Sequence, residues 1–422
     1  MHRVRTDIPA AEALAAILAE TPVLPAETTD VRSALGRVLA EPIASRRRIP
    51  PADNSAMDGY AVRRADLASA SGGRPVELRV AFEVAAGGAP REALGPGEAA
   101  RILTGAPLPA GADAVVRQED ALRRGDRVYI AQEPKPRENV RDAGEDVEIG
   151  DVVLEPGRAI GPAEAGMLAS LGRGVVAVRQ RPRVAILSGG DELVEPDGDV
   201  AGGRIVSSNS WSIAAQCREL GAEPTYLGIA RDTPEDIERR LRAGLAADVI
   251  VSSAGVSVGD RDFVRGVLEK LGCRLHFWGV RIKPGFPLAF GQVGEDRRGP
   301  LVFGLPGNPV SAMMTFEQFV RPALLRMQGA QRLYRPVVRA RLAEGMRKKP
   351  GRMHFVRVTL ERDGDTVVAR STGNQSSGVL KSMTRAHGIL IFPAEASELA
   401  SGATASVQVL DADFLAADAP GF

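Results

Sequence analysis

The run Asp248-Val249-Ile250-Val251 leads into Ser252-Ser253-Ala254-Gly255-Val256-Ser257-Val258-Gly259-Asp260, and a helical pattern over Phe263 to Leu271 follows directly. This order leaves few folds open. A short apolar run bounded by turn residues reads as a buried strand. A strand that passes through small residues straight into a helix is the building unit of a parallel sheet covered by helices. Backbone N–H groups and the positive end of the helix dipole converge at such a junction, which suits a phosphate or an oxyanion. Ser253, Gly255, Ser257 and Gly259 are the residues that would line it. The bland alternative is a tight turn with no ligand, and a single Gly-rich segment does not decide between them.

The same alternation runs from Pro182 to about Met327. Strands are expected at Val184 to Leu187, Tyr226 to Ala230, Val249 to Val251, Leu275 to Val280 and Leu301 to Phe303. Helices are expected over Ser210 to Leu220 with Ser210 as N-cap, over Thr233 to Leu245 opened by Pro234, over Phe263 to Leu271, and over Pro309 to Arg326. This order predicts a mostly parallel, doubly wound sheet, whose ligands bind beyond the carboxyl ends of the strands.

Those strand ends carry a consistent set of residues. Ser188-Gly189-Gly190-Asp191-Glu192-Leu193 follows the first strand, and Asp232 follows the second. Asp260-Arg261-Asp262 closes the opening segment. Lys283-Pro284-Gly285 and Gly304-Leu305-Pro306-Gly307-Asn308-Pro309 follow the later strands. Glycines allow a bulky anion to approach the backbone. Carboxylates would repel that anion, so Glu192, Asp232 and Asp262 point to a hard cation such as Mg²⁺ held with waters and ligand phosphates. Lys283 would meet phosphate or an oxyanion. Structural readings stay open: Asp191, Asp232 and Asp260 are also suited to starting the next helix, and Pro306 and Pro309 to shaping the turn before it.

The flanking regions read differently. Ala10 to Glu20 has helical spacing. Asp53 to about Gly150 mixes short β-prone pieces with Gly/Pro turns and predicts a small all-β module; a helix over Pro162 to Leu171 follows. After Arg332 the pattern is β again, predicting a C-terminal β-barrel or sandwich from Pro336 to Leu410. No repeat of roughly 20–50 residues is visible. The β module holds Asp53-Asn54-Ser55-Ala56-Met57-Asp58-Gly59-Tyr60-Ala61, Arg101 to Asp113 with Thr104, and Gly144-Glu145-Asp146; these are either turns or site loops.

The 422 residues suggest roughly three domains. The 54 basic and 53 acidic residues nearly cancel, so neither nucleic acid nor a membrane surface is an expected partner. Cys217 and Cys273 form no CxxC motif and cannot supply a thiolate zinc cage, which points to a reducing cytoplasm. No apolar run is long enough to span a bilayer, and the N-terminus lacks the apolar core of a signal peptide.

Taken in order along nearly the whole chain, these segments and the C-terminal Gly373-Asn374-Gln375-Ser376-Ser377-Gly378 resemble the MoeA family, the molybdopterin molybdenumtransferases, to which the E domains of gephyrin and of the plant molybdenum insertase are related. The resemblance implies a helical and strand-exchanged base (1–51 and 147–180), an inserted β-rich module (52–146), a molybdopterin-binding-like α/β domain (181–330) and a C-terminal β-barrel (331–422). It implies an elongated homodimer with an active cleft shared between the α/β domain of one subunit and the β-rich part of the other. It also implies transient contact with the adenylyltransferase of the same pathway.

The implied reaction inserts molybdate into adenylylated molybdopterin, with Mg²⁺-dependent release of AMP. By motif match, Asp58, Thr104, Asp146, Glu192, Asp232 and Asp262 line the cleft. Glu192, Asp232 and Asp262 handle metal or phosphoanhydride, Lys283 binds anion, and Asp58 with Thr104 positions substrate. The pterin is held by Ser188, Gly189, Gly190, the serines and glycines of the opening segment, and Pro306-Gly307-Asn308-Pro309. Arg357 and Ser377 match positions that help hold molybdate.

Two residues depart from the family pattern. Where the family commonly reads Lys-Pro-Gly-Lys-Pro, this chain has Lys283-Pro284-Gly285-Phe286-Pro287. Phe286 removes a cation that at close range is worth roughly one to a few kcal/mol. Either Arg281 compensates or substrate handling is altered. His354 stands where an acid is common. A non-catalytic cofactor-binding or scaffold paralogue, and an insertase for tungstate, are the alternatives. Retention of Asp58, Asp146, Glu192, Asp232, Asp262 and Lys283 argues against the first.

Overall fold

A computed structural model describes residues 4–88, 92–253, 263–294 and 299–416. At its centre is a seven-stranded sheet in the order Arg5–Ile8, Cys273–Val280, Ala289–Val293, Leu301–Leu305, Val249–Ser253, Arg183–Gly189, Glu223–Ala230. The last four run parallel, as the alternation predicts. The first two of these, Leu301–Leu305 and Val249–Ser253, are buried throughout: Val249, Ile250, Val251 and Phe303 are all 0% exposed. Such strands are continuous apolar runs because helices cover both faces of the sheet. Helices Asn209–Glu219 and Ala10–Glu20, with the helical stretch from Pro309 to Met327, cover one face. Helices Pro234–Gly244 and Phe263–Lys270 cover the other.

Three details differ from the sequence reading. Strand Ala289–Val293 was not expected, and it runs antiparallel to both neighbours, so the sheet is mixed. Gly291 interrupts its strand pattern because a Cβ there would lie 2.7 Å from the Arg274 carbonyl oxygen. Second, helix Asn209–Glu219 begins one residue before Ser210, whose hydroxyl is buried against Ser207 rather than capping. Third, the chain's first segment belongs to the α/β unit and not to the base. Strand Arg5–Ile8 pairs parallel with Cys273–Val280, and Ile8, Ala13, Ile17 and Leu24 join Phe277 and Phe316 in one core. Burial of the Ala13/Ile17 stripe drives this docking.

The remaining units follow from their own cores. The base pairs Ala26–Asp30 with Val175–Arg179 and packs helix Pro162–Ser170 over Leu39, Ile43 and Val178. The inserted module is a six-stranded sheet in the order Ala114–Arg117, Gly59–Val62, Glu98–Ile102, Val76–Val84, Arg127–Ile130, Ala121–Arg124. The C-terminal strands Met353–Asp363, Thr366–Ser371, Val337–Leu342, Thr404–Val409 and Gly388–Phe392 close on themselves through the pairing of the first with the last, giving a five-stranded barrel. Closure removes the exposed strand edges. No helix among the described residues is long and apolar enough to cross a membrane.

Barrel residues Phe355 and Ile389 join the core of the α/β unit, and polar contacts fix the barrel further. Ile282–Lys283, just beyond strand Cys273–Val280, pairs parallel with Met353–His354 of the barrel. On the far side Arg335 donates from Nε to the buried Glu317 carboxylate at 2.7 Å, and Arg321 approaches the same oxygen at 3.4 Å.

Both tryptophans, Trp211 and Trp278, lie in the α/β unit, so their fluorescence reports its unfolding. Ile17→Ala should destabilise the tryptophan-reported transition by about 2–5 kcal/mol, as Val251→Ala should to a smaller extent. An Ile17→Ala transition identical to wild type would place the first helix outside this core.

Candidate functional site

The carboxyl ends of the parallel strands open into a cavity of about 690 Å³, lined by Gly189, Glu192, Asn209, Ser253 and Pro306-Gly307-Asn308-Pro309 among others. Local chemistry shapes each wall. The Ser207 hydroxyl donates to the buried Ser188 oxygen at 3.0 Å and lies 3.2 Å from Ser210. Ser188 thus supports the wall from behind and does not line the cavity. Gly190 has φ +139°, and a Cβ there would lie 2.5 Å from the Glu192 carboxylate. Glycine is required here so that Glu192 can fold back over the turn. The Asn209 amide donates to the Gly307 carbonyl at 2.7 Å and holds the proline loop at the start of helix Pro309–Thr315.

The Ser253 hydroxyl is 2% exposed and has no hydrogen-bond partner among the described residues. An unsatisfied buried polar group costs roughly 1–3 kcal/mol. A ligand oxygen or nitrogen entering the cavity would satisfy it. Gly255, Ser257, Gly259 and Asp262, expected in the same wall, lie outside the described residues.

Asp232 sits on the neighbouring loop, where its N–H donates to the Asp191 carboxylate at 3.2 Å. Asp191 therefore ties two strand-end loops together and lies far in sequence from the start of the next helix, Asn209–Glu219. Asp232 is not the cap of helix Pro234–Gly244 either, because Thr233 caps it through the Asp236 N–H. Neither Glu192 nor Asp232 has an ion-pair partner among the described residues. Those residues contain no group of three or more His, Cys, Asp or Glu arranged around a metal position. Two free carboxylates on adjacent loops still fit Mg²⁺, which is commonly held by one or two carboxylates with substrate phosphates and waters.

A second cavity, of about 740 Å³, lies where the barrel meets the α/β unit. Its lining includes Lys283, Lys348, Lys349, Arg352, His354 and Arg357, and no acidic side chain among the described residues. Arg357 is 1% exposed. Its guanidinium donates to Ser382 Oγ at 3.1 Å and to the Ser376 carbonyl at 3.2 Å, with no carboxylate partner among the described residues. Burial lowers its pKa to about 10. A buried cation balanced only by neutral acceptors is costly unless an anion joins it. His354 is pushed down to about 4, by burial first and then by Lys283, Lys348 and Arg352. Its replacement of an acid therefore deepens the positive field of this cavity.

The cavities are neighbours. Pro287 and Gly378 line the first, while Lys283, Pro284 and Gln375 line the second. The Ser377 carbonyl accepts from the Val310 N–H at 3.1 Å, pinning the barrel loop to the start of the helix. Arg281 lines neither cavity, and its backbone N–H and carbonyl bond to Ile8 and Met353. Of the two alternatives that Phe286 raises, compensation by Arg281 therefore has no support in this arrangement. Lys283, by contrast, pairs with the barrel and lines the second cavity.

Asp58, Thr104 and Asp146 line neither cavity of their own chain. Asp58 accepts from the Thr104 N–H at 2.7 Å and from its hydroxyl at 2.8 Å, and these bonds hold its carboxyl below the usual range. Asp146 donates its N–H to the Ile49 carbonyl where the module rejoins the base. Sequence reasoning missed Arg352, Lys348 and Lys349. The basic run Arg347-Lys348-Lys349 was the signal for them.

The chain matches, in order, the MoeA N-terminal region (domain I and II) over residues 8–172, a probable molybdopterin binding domain over 185–326, and the MoeA C-terminal region (domain IV) over 339–410. It is 38% identical to the molybdopterin molybdenumtransferase of Nostoc sp., over 89% of this chain and 87% of that one. The Haemophilus influenzae protein of the same name is 36% identical, over 90% and 93%. The crystal structure of the molybdopterin biosynthesis MoeA protein from Pyrococcus horikoshii OT3 superposes with a TM-score of 0.82 at 32% identity, covering 96% of this chain and all of that one. The chain belongs to the MoeA family.

The positive cavity makes a titration prediction. His354 should titrate near 4 by NMR, and molybdate should raise that midpoint by neutralising the neighbouring cations. An unchanged midpoint at saturating molybdate would place the anion elsewhere.

Proposed function

We propose that this member of the MoeA family is a molybdopterin molybdenumtransferase, which takes adenylylated molybdopterin and molybdate, cleaves the phosphoanhydride, releases AMP and leaves molybdenum on the dithiolene. One observation carries the reading. A glycine- and hydroxyl-lined cavity with an orphaned Ser253 adjoins a cationic cavity built on the buried Arg357. A large organic phosphate and a small oxyanion could thus be held side by side. The relatives' names support the same chemistry.

Gly189, Ser253 and the Pro306–Pro309 loop hold the pterin and its phosphate end. Lys283 and Arg357 hold molybdate, with Ser377 in the loop that closes over it. Glu192 and Asp232, with Asp262 from the sequence, would hold Mg²⁺. When bound, that cation neutralises phosphoanhydride charge and favours AMP as leaving group. Holding both reactants in one frame turns an encounter of dilute partners into a reaction between oriented neighbours.

Asp58, Thr104 and Asp146 lie in or beside the β module and reach neither cavity of their own chain. The reading therefore includes a homodimer in which they complete the cleft of the other subunit, with Asp58 and Thr104 positioning substrate. The adenylyltransferase of the same pathway delivers the substrate by transient contact.

Purified protein with adenylylated molybdopterin, Mg²⁺ and molybdate should release AMP in a molybdate-dependent way; release only with tungstate would move the reading to that oxyanion. Glu192→Gln should lower the rate by at least about tenfold with the fold intact. Mixed dimers of Glu192→Gln and Asp58→Asn chains should regain part of the activity that each variant lacks alone. No recovery in verified mixed dimers would contradict a shared cleft.

A further inference from the structure

Phe286 stands where the family commonly has a second lysine, yet the cavity beside it is not short of charge. Its ring meets Trp278 edge-on, with centroids 5.7 Å apart. The Arg352 guanidinium lies over its face, 4.4 Å from the ring centroid. Arg352 lines the cationic cavity with Lys283, Lys348 and Arg357, and has no carboxylate partner among the described residues. Its backbone is fixed on both sides. The Gly351 N–H donates to the Ala394 carbonyl at 2.8 Å and the Met353 N–H to the Arg281 carbonyl at 3.0 Å.

We propose that Arg352, seated on Phe286, is the oxyanion-binding cation that takes the place of the missing lysine, with Phe286 as its positioning residue. This rests on the reading of the cationic cavity as the molybdate site. A guanidinium seated over a ring is held in place through its charge and can still offer N–H donors to a tetrahedral oxyanion. A lysine would offer a point charge on a flexible stem; the arginine held over the ring offers an oriented fork. The ring itself is wedged by Trp278 and by the Gly279 backbone, where a Cβ would stand 3.2 Å from the Phe286 ring. The depressed His354 pKa, to which Arg352 contributes, fits a field directed into the cavity.

The test is calorimetric titration of the full-length protein with molybdate alone, with thermal melting as the fold control. Arg352→Gln and Phe286→Leu should each weaken binding by about 3- to 30-fold, while Phe286→Tyr keeps wild-type affinity. The double variant Phe286→Leu/Arg352→Gln should bind no more weakly than Arg352→Gln, because the ring acts through the arginine. Phe286→Lys in the Arg352→Gln background should recover affinity. Wild-type affinity in Arg352→Gln would overturn the inference and leave the proposed function standing. Additive losses in the double variant would overturn the positioning role of Phe286. No molybdate binding by the wild-type protein would instead defeat the underlying reading of the cavity.

Discussion

The short parallel pairing of Ile282–Lys283 with Met353–His354 is the contact on which the site depends. It takes the loop at the end of an α/β strand and makes it an extra strand beside the barrel. Without it Lys283 would sit at an open strand end. With it, Lys283 and Arg357 line one cavity while Pro287, a few residues on, lines the next. The shared buried Glu317 and the Ser377–Val310 bond hold the same interface at other points. The barrel thus acts as the rigid wall of a site that the α/β unit opens.

Unsatisfied groups are informative here because folding alone does not justify them. Among the described residues, Ser253 is buried without a hydrogen-bond partner and Arg357 without a carboxylate. Each costs stability in the isolated chain. Both stand in adjoining cavities, where a phosphate-bearing pterin and an oxyanion would supply what is missing. Natural chains keep such frustrated positions mainly where function requires them.

Much of this was legible in the sequence. The apolar runs at Val249 and Leu301 and the loops after them gave the sheet and the cavity wall, because buried parallel strands are continuous and their ends are glycine-rich. Glu192 and the Pro306–Pro309 loop were found this way. The position of the first helix was not legible, since an Ala13/Ile17 stripe shows that a face is buried but not against which partner. The bond of Asp191 to the Asp232 N–H was not legible, because a bond between two strand-end loops has no local signature. Arg352 was hidden for the same reason: it lies 66 residues beyond Phe286, and only the strand pairing brings them together. Asp58 and Asp146 line neither cavity of their own chain, and their role belongs to the proposed shared cleft, which no intrachain contact could reveal.

The central claim is that the cationic cavity between barrel and α/β unit receives the oxyanion. Diffraction from a crystal soaked in tungstate, collected at the tungsten edge, tests it most directly. The account predicts an anomalous peak within hydrogen-bonding reach of Arg357 and Lys283. A peak confined to the strand-end cavity near Ser253, or to surface lysines elsewhere, would contradict it.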